Sequence, residues 1–439
     1  MKFSSVWAIA SLMAGLTLGA SDLEALNAPR ALHRSKAEPR LSSSSRHAAA
    51  TPRAARRAGA RAAASDAPAA RGKHARGKKG RAAADDSVAA LPRSARGRRA
   101  ALRGRRRGKF AEIFTASSFV PSGTVGLGDR TAGEDPVVRQ AAVEAMGDMN
   151  GTAVVINADT GRVLAMVNQK LALAPGAEPC STIKITVAMA ALSEGLVTRE
   201  TPVALAGGGR MNMTQALAHS NNLYFESLGR MLGFERLHHY EQQFGLGELA
   251  GYNIAGEQLG QYPDHEIAAS QGGVGRMCSF GQGISLTPLQ LGAYVAALAN
   301  GGTLYYLQHP TTPEEIASFQ PKVKRTLDIA RYLPEIQEGM AGAVEYGTAR
   351  RLRASFQEFP VFGKTGTCSD RGTRFGWFAS FTHAPQGNLV TVFFLEGGRP
   401  VFGPRAAELT GLFYKGLRDR DYFRTQEAEV ASPSATVSR

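Results

Sequence analysis

The chain has 439 residues, 43% of them hydrophobic and 20% charged, with 52 Lys and Arg against 37 Asp and Glu for a net charge of +15. The apolar share excludes a wholly disordered protein, and the length allows one domain, or two subdomains, with a sizeable core. Three cysteines are too few for a disulfide scaffold, and no apolar run beyond the N-terminus is long enough to span a membrane.

Val6 to Leu18 form an apolar run behind Lys2, so residues 1–20 read as a secretory signal or an uncleaved N-terminal anchor, and export is expected by either route. From Ser21 to Phe110 there are 24 Lys and Arg against 6 Asp and Glu, about +18, among Ala, Gly, Ser and Pro. This composition reads as a disordered basic linker over residues 21–110, and the remainder of the chain is net negative. An Arg-rich arm suits nucleic acid by charge alone. On an exported protein an anionic membrane or wall polymer is the more available partner, and a solvated spacer is the plain alternative. Residues 111–139 form a short connection, residues 140–425 the folded domain, and residues 426–439 a disordered tail.

Strand-like runs occupy Ala153 to Val167, Val361 to Thr367 and Leu389 to Leu395, with helical patterns between them, an order that suits an α+β domain. Three short elements carry the chemistry. In Ser181-Thr182-Ile183-Lys184, a helix from Ser181 to Leu196 puts the lysine on the face of the serine, three residues on. Serine is a poor nucleophile until a base takes its proton, and lysine is that base only when burial depresses its pKa. The backbone N–H of Ser181 lacks a partner at a helix start and is available to an oxyanion. In Ser220-Asn221-Asn222, the plain reading is a helix N-cap, but the Ser220 hydroxyl can relay a proton and the Asn222 carboxamide can hold a substrate amide. His219 beside them reads as structural.

The third element is Lys364-Thr365-Gly366-Thr367, on a strand. Gly366 leaves room for a substrate backbone, Lys364 with the hydroxyls of Thr365 and Thr367 suits an anionic group, and the Thr367 N–H is a second oxyanion donor. A serine with a lysine one turn later, a Ser-x-Asn and a Lys-Thr-Gly, in that order, are the signature of penicillin-binding proteins and serine β-lactamases.

The sequence resembles the transpeptidase domain of penicillin-binding proteins, of the monofunctional class B kind, over roughly residues 140 to 420. Besides the three elements, Gly151 to Met166 is similar to the hairpin that opens the family's sheet, and Ser279-Phe280-Gly281-Gln282-Gly283 through Gly302 to a stretch typical of the class. Gly347-Thr348-Ala349 and Trp377 to Phe381 are similar to the segments flanking the Lys-Thr-Gly strand. The resemblance implies an antiparallel sheet flanked by helices, a mostly helical subdomain, and an active site between them. It implies a serine D,D-transpeptidase that cross-links peptidoglycan stem peptides ending in D-Ala-D-Ala, is acylated by β-lactams, and works in the periplasm or on the outer face of the cytoplasmic membrane. Full-length class B members carry a pedestal domain that Ala111 to Asn150 is too short to supply.

Catalytic residues are then expected at Ser181, Lys184, Ser220, Asn222 and Lys364, backbone oxyanion donors at Ser181 and Thr367, and substrate contacts at Thr365, Gly366 and Thr367. No cofactor and no metal is expected, because no His, Cys and carboxylate cluster has ligand spacing. A D,D-carboxypeptidase shares every step but hands the acyl group to water. A serine β-lactamase needs a deacylation base, for which Glu257 is the candidate, although Gly251 to Gly260 is similar to a structural segment of transpeptidases. A non-catalytic penicillin sensor or wall-binding scaffold is the remaining alternative. Cys180, Cys278 and Cys368 each lie beside a motif. A Cys180–Cys368 bridge is the expected pair, since it fixes the spacing of the two oxyanion donors, with buried free thiols the alternative.

Overall fold

The computed structural model describes residues 114–424. The expected signal or anchor (1–20), the basic linker (21–110), residues 111–113 of the connection, residue 425 and the expected tail (426–439) lie outside the described residues. Nine strands are described: β1 (Gly151–Asn157), β2 (Arg162–Val167), β3 (Val203–Ala204), β4 (Arg210–Met211), β5 (Thr303–Tyr306), β6 (Lys322–Thr326), β7 (Phe362–Asp370), β8 (Thr373–Ala384) and β9 (Gly387–Gly397). Five build one sheet in the order β2-β1-β9-β8-β7, antiparallel throughout, while β3-β4 and β5-β6 are separate two-stranded ribbons.

The residue pattern explains the sheet. Strands alternate side chains between faces, and here both faces are covered. Val154, Ile156, Trp377, Ala379, Phe381, Val390 and Val392 enter one core. Their neighbours Ala153, Val155, Phe378, Leu389, Phe393 and Leu395 enter the other. The second core is closed by helices Pro136–Met146 and Gly403–Arg418, the first by a large, mostly helical layer. Helix Pro288–Ala299 lies against the sheet with every residue buried, and its start is fixed by Pro288 at the first position and a capping box between Thr287 and Gln290. Gly292 lets it close on the sheet, since a Cβ there would stand 2.6 Å from Ile156 Cδ1.

The architecture is the expected α+β arrangement. Around the site the local structure differs from the sequence reading in one respect. The expected helix from Ser181 begins as a 3-10 turn, Cys180–Ile183, and becomes α-helical only over Lys184–Ser193. Cys180 holds φ 52°, which no right-handed helix accommodates, so the turn starts abruptly behind Pro179. Gly195, with φ 65°, ends the helix as a left-handed residue should.

Candidate active site

The 3-10 turn has a direct geometric effect, because side chains three apart eclipse on such a turn. Lys184 Nζ donates to Ser181 Oγ at 2.6 Å. The first bond of the turn runs from Thr182 N–H to the Pro179 carbonyl, so the Ser181 N–H precedes the helical ladder.

Ser220 and Asn222 approach from the next element. Asn221 supplies the N-cap of helix Asn222–Leu232, its side chain accepting from Tyr224 N–H, which frees its two neighbours from capping. Lys184 Nζ donates to Asn222 Oδ1 at 2.6 Å and lies 3.4 Å from Ser220 Oγ. Ser220 is held at φ 55°, an uncommon backbone for a non-glycine residue that functional sites often retain.

β7 brings the third element as the edge strand of the sheet. Lys364 Nζ donates to Ser220 Oγ at 2.8 Å and to its neighbour's carbonyl, Thr365 O, at 2.9 Å. Ser220 Oγ is thus shared by both lysines, and a continuous chain runs Ser181, Lys184, Ser220, Lys364. Both lysines are fully buried. Burial, and then the neighbouring charge of Lys364, hold the Lys184 ammonium well below the usual lysine range, with Glu226 opposing them. Burial alone pushes Lys364 down to about 7. The rings of Phe225 and Phe280 lie 5.7 and 5.9 Å from Lys184 Nζ and help to exclude water.

Gly366 has a packing reason beside the one read from sequence. A Cβ there would come within 2.8 Å of the Pro179 carbonyl and 3.2 Å of Thr182, so the glycine lets β7 press against the turn that carries Ser181. The same junction is bridged covalently, Cys180 to Cys368, with Cα atoms 5.5 Å apart, while Cys278 is free and buried. The bridge joins the residue before Ser181 to the residue after Thr367.

Two threonine hydroxyls expected to meet substrate have protein partners. Thr365 Oγ1 donates to Thr348 Oγ1, and Thr367 Oγ1 accepts from Gly403 N–H, both at 2.7 Å. Thr348 therefore joins the site, as do Phe225 and Phe280; the sequence marks Thr348 and Phe280 only as members of family-like segments and gives none of the three a site role. Glu257 does not resemble a free base. Its carboxylate accepts N–H bonds from Ala250 and Gly251 and fastens that turn. His219 caps the preceding helix and packs on Tyr346.

Residues 151–407 match the family model for the penicillin binding protein transpeptidase domain. The chain is 30% identical to stage V sporulation protein D of Bacillus subtilis over 227 residues, 46% of this chain and 34% of that protein. It is 26% identical to peptidoglycan D,D-transpeptidase MrdA of Acinetobacter baumannii, over 53% of this chain and 41% of that protein. The match thus spans less than half the length of these relatives. The fold is similar to that of Pseudomonas aeruginosa PBP2, with a TM-score of 0.55 at 24% identity over 69% of this chain and 81% of that one. It is also similar to a peptidoglycan glycosyltransferase of Burkholderia ambifaria, with a TM-score of 0.55 at 19% identity over 67% of this chain and 99% of that one.

Proposed function

The chain belongs to the penicillin binding protein transpeptidase domain family, and from that premise we propose that it is a serine D,D-transpeptidase of peptidoglycan stem peptides. The observation that carries the reading is the 2.6 Å contact between Ser181 Oγ and a fully buried Lys184 ammonium whose charge is disfavoured. In its neutral form Lys184 takes the Ser181 proton as Oγ attacks the carbonyl of D-Ala-D-Ala. The N–H groups of Ser181 and Thr367 receive the oxyanion. Lys184 passes its proton through Ser220, with Lys364 behind it, to the nitrogen of the departing D-Ala. The donor peptide adds to the β7 edge along Thr365, Gly366 and Thr367, with Asn222 holding a substrate amide. β-Lactams enter by the same attack and stay as acyl-enzyme.

The acyl group then passes to an amine of a second stem peptide. Transfer to water would make the protein a D,D-carboxypeptidase. The engagement of Glu257 with backbone N–H groups weighs against a β-lactamase, which needs a base for deacylation. The substrate lies outside the cytoplasm, so the protein works there, and the charge of its basic arm suits anionic lipid or wall polymer. Among the described residues no helix is long and apolar enough to cross a membrane.

The test is reaction of the full chain with a fluorescent penicillin, followed by intact mass over hours beside Ser181→Ala. A long-lived adduct absent from the variant supports the reading. Rapid turnover returns the β-lactamase, and no adduct overturns an acylating enzyme.

A further inference from the structure

A cavity of about 510 Å³ opens beside the nucleophile turn and the end of β7, lined among others by Glu178, Gln261, Gln271, Gln282, Asp370 and Arg371. That size falls within the range of small-ligand pockets, about 300–1,000 Å³. Its walls stand on the segments that carry the site, since Glu178 lies three residues before Ser181 and Asp370 three after Thr367, on the stretches the disulfide joins. The donor side of the site buries two lysines. This side offers side-chain amides and two carboxylates, of which Asp370 stands 3.8 Å from Arg371 Nε and Glu178 has no ion pair among the described residues.

Glu178 is the informative group. Its backbone carbonyl is fixed by Trp377 Nε1 at 3.0 Å, which sets where the side chain starts. Burial, then the charge of Asp370, push its carboxyl up to about 7, opposed only by the charge of Arg276. Among the described residues no hydrogen bond supports the charged form. Arg276 engages a glutamine of the cavity wall and not the carboxylate, lying 3.8 Å over the Phe280 ring with Nε donating to Gln282 Oε1 at 3.2 Å. A half-buried carboxylate left in that condition beside three glutamines is complementary to an ammonium on a peptide.

We propose that this cavity seats the acceptor, the primary amine of a second stem peptide, with Glu178 as the group that holds its nitrogen beside acyl-Ser181. The inference rests on the transpeptidase reading. The acceptor ammonium gives one proton to the Glu178 carboxylate, and the free amine attacks the acyl carbon. The new N–C bond forms as the Ser181 Oγ–C bond breaks, and the second proton of the nitrogen returns to Ser181 Oγ through Lys184. Atoms and charge balance without a further reactant.

The test uses the full chain with a D-alanyl thioester donor and, as acceptor probe, a soluble stem tripeptide with a free side-chain amine, its N-acetylated form serving as control. Aminolysis and hydrolysis products are separated by mass. Glu178→Gln is expected to raise the half-saturating acceptor concentration about tenfold, the loss of one charge-assisted hydrogen bond, and to shift the product ratio toward hydrolysis. Asp370→Asn is expected to do so less. Acyl-enzyme formation with acceptor saturation indifferent to Glu178→Gln overturns the subsite and leaves the transpeptidase reading standing. Wild-type protein that never forms acyl-enzyme overturns that reading and the subsite with it. If melting shows Glu178→Gln unfolded, Glu178→Asp and Asp370→Asn, read the same way, decide.

Discussion

Lys184 and Thr186 sit on one helix, about 200° apart at 100° per residue, and each serves a buried ionisable cluster. On the Lys184 side two lysines share Ser220, with Ser181 and Asn222 completing their bonds, all supplied by three separate chain segments. On the Thr186 side the fully buried Glu241 accepts from Thr186 Oγ1 at 2.7 Å, the Tyr262 hydroxyl faces the same carboxyl, and Tyr294 lies close enough to feel its charge. Burial acts on both and in opposite directions, pushing Lys364 down to about 7 and Glu241 up to about 7. Each group is driven toward neutrality. For lysine the neutral form is a base within reach of a hydroxyl. For glutamate it is a carboxylic acid that packs. The same burial poises one cluster for chemistry and silences the other, and what separates them is that a neutral lysine is a base and a neutral carboxyl is not.

The largest effect is expected at the nucleophile. Ser181→Ala is expected to abolish the penicillin adduct in intact mass, and Lys184→Met, which keeps the volume and removes the base, to slow acylation about 10²–10⁴-fold in stopped assays. Next comes the covalent tie. Cys180→Ser with Cys368→Ser is expected to lower unfolding free energy by about 2–4 kcal/mol in urea, and to slow acylation as the two oxyanion donors lose their fixed spacing. A smaller effect sharpens the contrast through pH. Glu241, raised from 4.5 to about 7 on folding, contributes stability that is complete below 4.5 and gone by about 7, as much as about 3 kcal/mol. Lys364, lowered from 10.5 to about 7, does the reverse, and stability from it rises with pH across that window. Glu241→Gln should flatten the acid-side slope of stability against pH and leave the alkaline side unchanged. The smallest expected effect is none, with Glu257→Gln leaving the deacylation rate of the penicillin adduct as it was. A faster or slower rate would give that residue a chemical role.

The site elements were legible because each is local. Ser181 and Lys184 are three apart, Ser220 and Asn222 two apart, and Lys364 to Thr367 consecutive. The sheet strands were legible through their β-branched and aromatic runs. What escaped depends on contacts between distant segments. Thr348 meets Thr365 across a fold of the chain, Phe225 and Phe280 reach Lys184 from two different helices, and Gly366 fits Pro179 only once β7 is docked. The 3-10 start at Cys180 was hidden as well, since nothing in the residue types marks a positive φ at a cysteine. Helices Pro136–Met146 and Gly403–Arg418 carried ordinary amphipathic patterns, and their place behind the sheet follows from its strand order, which short-range patterns do not encode.

That strand order also imposes a timetable on synthesis. β1, near residue 151, is an inner strand whose partners are β2, made at once, and β9, which ends at Gly397. While the chain is still growing, the β1–β2 hairpin stands with one edge of N–H and C=O groups open, and both cores lack the strand that fills their centre. Such non-local pairing is slow and leaves an adhesive edge exposed. A nascent chain interrupted between residues 368 and 386 would hold every group of the catalytic relay and yet lack the strand that joins β1 to β8.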